Sequence, residues 1–255
     1  ESQRLVPQLL GKVKIIDLAG DFRLKDPAQY PKYYGKEHIY KSGLKKFVYG
    51  VPEFFKKKIA KAHAVANPGC FAIASELALY PLAKEIKHVA VFGVTGSSGS
   101  GKTPKNETHH PVRGHNLASY KIGLHQHLPE IIETIGLDPN QITFIPTSGP
   151  FSRGILLTAA IYLKKPLSEK IIQERYKKAY GKAPFVRLVK TAAIVNVVGS
   201  NYCDLSITVR PEAVVIQTAI DNVCKGAAGN AIQNFNILFN LSETIGLETA
   251  SPLFP

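Results

Sequence analysis

Cys70 is the residue in this sequence with the clearest means of doing chemistry. Asn67-Pro68-Gly69 makes a turn ahead of it, and Phe71 to Lys84 behind it has the apolar spacing of a buried helix. A thiol in the first turn of a helix sits at the positive end of the dipole beside unpaired amides, which favours thiolate over thiol and makes a nucleophile. On spacing alone a buried structural cysteine remains the other reading. Cys203 and Cys224 fall in an apolar strand and just ahead of a helix, where a structural role is expected. His125-Gln126-His127, with Glu130 three residues on, offers an imidazole acid/base partner for such a thiol. With His109, His110 and His115 nearby in the chain, a zinc site is the rival reading and packing histidines the plain one.

Other residues are suited to anions. Gly96 to Thr103 (GSSGSGKT) satisfies the pattern of a phosphate-binding P-loop and follows an apolar strand. A true P-loop needs a helix starting at its lysine, whereas Thr103-Pro104-Lys105-Asn106 and Pro111 continue without an apolar stripe. The same objection weakens Gly93, Gly96 and Gly99 as a dinucleotide fingerprint. The preferred reading is a substrate loop whose amides and Lys102 meet an anion, with a flexible polar loop as the alternative. Arg153 opens a strand and can fork to a carboxylate or phosphate, or be a surface charge. Asp17, Asp21 and Arg23 follow a buried strand, where α/β proteins place ligands, and an internal salt bridge would use the same residues. Asp221-Asn222 and Lys225-Gly226-Ala227-Ala228-Gly229 precede a helix, the small residues allowing a ligand or another backbone close approach.

The elements that must position these residues alternate in type. Strands are expected at 12–18, 64–66, 88–95, 141–145 and 154–163, helices at 71–84, 129–135 and 168–180, and long loops at 21–35 and 96–116. Runs at 185–189, 194–198, 203–209 and 213–219 then read as meandering antiparallel strands before a last helix at 225–238. A chain of 255 residues, 45% hydrophobic and 20% charged, makes one or two domains and is neither disordered nor disulfide-dense with its three cysteines. No apolar run approaches a membrane span and no signal peptide opens the chain, so a cytoplasmic protein is expected. The absence of Met, even at position 1, leads us to expect a further segment ahead of Glu1. A net charge of +13 favours anionic partners: phosphorylated metabolites, nucleotides or nucleic acid, the last making a basic binding module the rival class.

Together these segments resemble the N-acetyl-gamma-glutamyl-phosphate reductase family, relatives of aspartate-semialdehyde dehydrogenase. The resemblance rests on DLAGDFRLKD at 17–26, YYG at 33–35, VYGVPE at 48–53, NPGC at 67–70 and TGSSGSGK at 95–102. It continues in the same order through HQHLPEI at 125–131, FSRGI at 151–155, GSNYCD at 199–204 and DNVCKGAAGNAIQN at 221–234. It implies an α/β fold: a partial Rossmann-type NADP-binding domain from residues 1–70 and 215–255, and an α+β substrate (dimerisation) domain from 71–214 with a mixed, largely antiparallel sheet. The implied reaction is NADPH-dependent reductive dephosphorylation of N-acetyl-L-glutamyl 5-phosphate to the 5-semialdehyde, through a cysteine thioester, in arginine biosynthesis. N-succinyl-glutamyl or carrier-bound aminoadipyl phosphate is the alternative substrate, Asn67-Pro68 favouring the acetylated glutamate, and a P-loop nucleotide-binding protein the more distant one.

By the same resemblance, Cys70 attacks the acyl phosphate and His125 is the acid/base. His127 and Glu130 orient substrate or imidazole, and Ser97, Gly99, Lys102 and Arg153 bind its anionic ends. Asn222, Lys225 and Gly226 lie by the nicotinamide of NADP(H), and no metal is implied. The expected partners are the acyl phosphate, phosphate and further copies of the chain in a homodimer or homotetramer, with neither nucleic acid nor membrane. Gln126 departs from the Arg common at that place in the family. No strand with a GxxGxxG turn precedes Lys12, so Glu1 is expected to fall inside the family's first domain.

Overall fold

Three short runs of apolar residues, β1 (Ile15–Asp17), β2 (Phe47–Tyr49) and β3 (Ala64–Ala66), pair in parallel in the order β1-β3-β2. They belong to a computed structural model that describes residues 1–101 and 103–248. The middle strand is wholly buried because both faces are covered, as parallel sheets require. On one face Ala66 meets Val6, Phe22, Leu24, Tyr30 and Leu44; on the other Val65 meets Ile59, Ile237 and Leu238. Of these, Val6, Tyr30 and Ile59 come from three helices, α1 (Ser2–Leu9), α2 (Gln29–Tyr34) and α3 (Pro52–Ile59). The sequence reading contained none of the three, nor β2. Pro27 and Pro31 make 21–35 read as loop in the sequence, yet Pro31 falls in the first turn of α2, where a missing N–H costs nothing.

From β3 the chain crosses through Asn67-Pro68-Gly69 into α4 (Cys70–Leu79). This helix is buried from Phe71 to Leu79, as a helix apolar on every side must be. It lies on a second sheet formed by β4 (Ile86–Thr95), β5 (Ala118–Ser119), β6 (Ile142–Ser148), β7 (Ile155–Leu163), β8 (Val186–Leu188), β9 (Cys203–Val209) and β10 (Val214–Ile220). Their order among the described residues is β5-β6-β4-β7-β10-β9-β8, parallel at β4/β6 and β8/β9 and antiparallel elsewhere. Along β7 the buried residues alternate, Ile155, Leu157, Ala159 and Ile161, and face the core shared with α4.

Around this sheet lie α5 (His110–Arg113), α6 (Leu128–Ile135) and α7 (Glu169–Tyr180). Tyr176 and Tyr180 of α7 donate their hydroxyls to Ala78 O and Leu77 O, 2.5 and 2.6 Å away, satisfying the carboxyl end of α4. The expected strand at 194–198 is instead a 3₁₀ turn over Ile194–Asn196 with Val195 83% exposed. Its β-branched residues had no free edge to pair with, because β8 occupies that side of β9. The return crossing comes after Ile220, and α8 (Gly229–Leu238) packs against α3 beside the small sheet. The large sheet therefore keeps all of β10, and the chain leaves it at Asp221 rather than at 215. No helix among the described residues is long and apolar enough to cross a membrane.

Candidate active site

Cys70 is the first residue of α4, half-buried between the two sheets. The turn ahead of it is held from several sides. Gly69 N–H donates to Glu130 Oε2 at 2.9 Å, and the same carboxylate oxygen accepts from the Tyr49 hydroxyl at 2.8 Å. Glu130 Oε1 meets Arg23 Nη1 at 3.3 Å, with both side chains at least nine-tenths buried. Gly69 has to be glycine, since a Cβ there would lie 2.2 Å from His127 Nε2. Gly226 is equally close, as its Cβ would lie 2.7 Å from that of Cys70.

Burial pushes the Cys70 thiol up to about 11, more than the Arg23 charge and the helix-end amides of Cys70 and Phe71 pull it down. Dipole and amides act as the sequence suggests, but desolvation outweighs them, so the resting group is a thiol. His125 sits in an aromatic box, its ring centre 5.6 Å from each of Phe71, Tyr120 and Phe144 and 4.7 Å from His127. Burial, then His127 and Lys121, hold its pKa down to about 2, so it is neutral. His127 N–H donates to His125 Nδ1 at 3.1 Å, which requires the lone pair there and leaves the proton on Nε2. As held, His125 therefore presents a hydrogen-bond donor.

Tyr49 also lies 2.9 Å from Glu76 Oε1, so one hydroxyl proton stands between two buried carboxyl groups. A second proton must reside in the cluster. Glu130 has Arg23 and an amide to stabilise its charge, whereas burial and then the Glu130 charge push the Glu76 carboxyl well above the usual carboxylate range. Glu76 is the protonated member. An acid with a raised folded-state pKa stabilises the fold fully below its unfolded value, and that stability is lost as pH rises. Glu76→Gln, which keeps the neutral form, is expected to gain stability over the natural protein as pH climbs from about 5 to about 9. Thermal midpoints across that range check the sign, and a gain toward acid instead would place the proton elsewhere.

The structure brings together Cys70, His125, His127 and Glu130, and adds Arg23, Tyr49 and Glu76 around them. For Arg23 the sequence offers a ligand position after a buried strand or an internal salt bridge, and the structure forms a salt bridge to Glu130. Tyr49 and Glu76 carried no local pattern, since a tyrosine ending a strand and a glutamate inside a helix are ordinary. The remaining candidates are committed to internal bonds. Arg153 pairs with buried Asp221 at 2.8 Å and contacts Cys224 Sγ at 3.4 Å. Asn222 Oδ1 accepts from Gly154 N–H at 2.6 Å while its Nδ2 donates to Ser98 Oγ at 2.9 Å. Lys225 is fully buried, its ammonium donating to Glu53 at 2.7 Å and Gln233 at 2.8 Å.

The Ser97 and Ser98 amides bond Phe151 O and Ser152 O, and the Gly99 amide closes a turn onto Gly96 O, so the loop forms a 3₁₀ turn in which these three amides have partners within the protein. Lys102 lies outside the described residues. Among the described residues, no group of three or more His, Cys, Asp or Glu side chains is arranged to hold a metal. For a nicotinamide the fit is better. Ligands of parallel sheets bind at the strands' carboxyl ends. There Asp17 Oδ2 is buried without a partner among the described residues, and Asn67 N–H bonds Asp17 O, so this end of the small sheet adjoins the turn that carries Cys70.

The family model of the semialdehyde dehydrogenase dimerisation domain matches residues 70–222. The chain is 41% identical over 260 residues to the N-acetyl-gamma-glutamyl-phosphate reductase of Bacillus cereus (strain B4264), covering 97% of this chain and 75% of that protein. It is 39% identical to the enzyme of that name from Archaeoglobus fulgidus, covering 100% of this chain and 77% of the relative. Aspartate semialdehyde dehydrogenase II from Vibrio cholerae shares the fold, with a TM-score of 0.63 at 17% identity over 79% of this chain and 71% of that one.

Proposed function

We propose, for a chain that belongs to the N-acetyl-gamma-glutamyl-phosphate reductase family, that it reduces N-acetyl-L-glutamyl 5-phosphate to the 5-semialdehyde with release of phosphate, in arginine biosynthesis. The observation that carries this reading is the Cys70 turn, clamped by Glu130 and packed against His127, with the His125 donor next to it. Cys70 Sγ forms a bond to the acyl carbon as the carbon–oxygen bond to phosphate breaks, and the thiol proton leaves with the phosphate. His125 Nε2–H donates to the carbonyl oxygen as it takes up negative charge. NADP(H) is the cofactor we carry over from the family, held at the carboxyl end of the small sheet, and when bound it supplies hydride to the thioester carbon. The oxygen of the resulting hemithioacetal takes up one proton from solvent, and as collapse breaks the sulfur–carbon bond that proton passes to the sulfur and restores the thiol. Residues around β1–β3 and α8 then serve the cofactor and those from α4 to β10 the substrate.

We also assign a second copy of the chain as partner. The face of the large sheet away from α4 leaves Phe92 and Tyr162 each 43% exposed, and the matching family model is that of a dimerisation domain. The test of the reaction is phosphate-dependent reduction of NADP+ by N-acetyl-glutamate 5-semialdehyde. Turnover that needs both phosphate and the acetylated semialdehyde is expected, and turnover only with succinylated or aminoadipate analogues would move the substrate elsewhere.

A further inference from the structure

The buried cations of the site differ in what balances them. Arg23 faces Glu130 at 3.3 Å, Arg153 faces Asp221 at 2.8 Å and Lys225 faces Glu53 at 2.7 Å. Arg113, at the end of α5 and only 8% exposed, has no carboxylate partner among the described residues. Its Nη1 donates to Ser100 Oγ at 2.8 Å, its Nη2 makes a long contact of 3.4 Å to Thr95 O, and its Nε–H is buried without an acceptor among the described residues. An unpaired guanidinium is costly to bury, and burial lowers its pKa with only Tyr120 opposing. Tyr120 is also where the location becomes informative. Its hydroxyl feels both Arg113 and Cys70, and its ring lies 5.6 Å from His125.

We propose that Arg113 is an anion receptor of this site, its guanidinium binding a carboxylate or phosphate oxygen of the substrate between the Thr95–Ser100 turn and Tyr120. An oxyanion there supplies the charge that the protein leaves out, and a guanidinium forks to such groups with two parallel hydrogen bonds. The identity of the anion rests on the acyl-phosphate reading, while the subsite itself does not.

The test that needs no substrate compares alkylation of Cys70 by iodoacetate, an anion, and iodoacetamide, its neutral analogue, followed by peptide mass. The iodoacetate-to-iodoacetamide ratio is expected to fall about tenfold in Arg113→Gln, with Arg113→Lys in between. Lys121 is the exposed cation near His125, and Lys121→Gln is expected to leave the ratio in place. An unchanged ratio in Arg113→Gln, or a fall that appears only in Lys121→Gln, overturns the proposal. If Arg113→Gln does not fold, the natural protein decides: inorganic phosphate should slow iodoacetate more than iodoacetamide, and equal slowing or none overturns it.

Steady-state kinetics in the oxidative direction then separate the two sources of the anion. A higher KM for phosphate alone in Arg113→Gln assigns the leaving group, a higher KM for the semialdehyde alone assigns the substrate carboxylate, and neither moving overturns a substrate role. A lowered alkylation ratio in a protein that does not turn over the acetylated semialdehyde keeps the subsite and removes the substrate reading.

Discussion

Cys70→Ser is expected to lower kcat/KM about 10,000-fold, or roughly 5 kcal/mol of transition-state stabilisation. A serine hydroxyl is a far weaker nucleophile, and His125 does not serve as its base, since it offers Nε2–H and its Nδ1 is already occupied by the His127 amide 3.1 Å away. The replacement is nearly isosteric at a half-buried position, so the thermal midpoint should stay close to that of the natural protein. Mass spectrometry provides the independent reading. Incubation with the acyl phosphate and no cofactor should add one acyl group to the natural protein and none to the variant. Retention of full activity by Cys70→Ser would remove the thioester and the site built on it. Because the thiol rests near 11, alkylation of Cys70 by a neutral reagent should also rise about tenfold per pH unit from about 7 to about 10.

Lys225→Met is expected to destabilise the protein by about 3–5 kcal/mol and to lower the thermal midpoint by about 10 °C. It would leave the Glu53 carboxylate, 1% exposed, without the ammonium 2.7 Å away that balances it. Most of that loss is the cost of an unpaired buried charge, so Glu53→Leu combined with Lys225→Met should recover a large part of it. The double variant gives the decisive comparison, since equal losses in single and double variants would mean that packing, and not charge, sets the stability. A kinetic effect is expected as well. Lys225 bonds Asn230 and Gln233, and Asn230 together with Asn234 donates to Asn67 Oδ1 at 2.8 and 3.1 Å, at the head of the turn that carries the nucleophile. The loosened turn should lower kcat more than it raises KM.

The two residues of that pair show where reading the sequence stops. Lys225 stood out for its small neighbours, and Glu53 only as part of VYGVPE, because partners 172 positions apart leave no spacing to detect. Cys70 was legible, since a turn followed by a run apolar on every side fixes both the helix and the residue at its start. Its resting protonation was not, because the helix end is a local signal and desolvation depends on everything that closes over the thiol. The strands of the large sheet were legible from 86 to 220 to within a few residues, apart from the two-residue edge strand β5, which the sequence does not signal, and 194–198, where apolar residues had no edge to join. The small sheet was harder to see, as strands of three residues carry no period of their own and are made by what packs on them. Arg113 went unnoticed in a polar loop because its meaning lies in a missing partner.

The two crossings of the chain between the sheets have a mechanical consequence. One passes through Asn67 to Cys70 and the other through Asp221 to Gly226, and the α-carbon of Gly226 lies against the Cys70 side chain. If one sheet swings relative to the other, the covalent tethers define the pivot, and points on a pivot travel least. Cys70 belongs to one of those tethers, so its sulfur would lie close to such a pivot. Residues far from the tethers would then travel a long arc while the reacting atom keeps its station relative to both halves of the molecule.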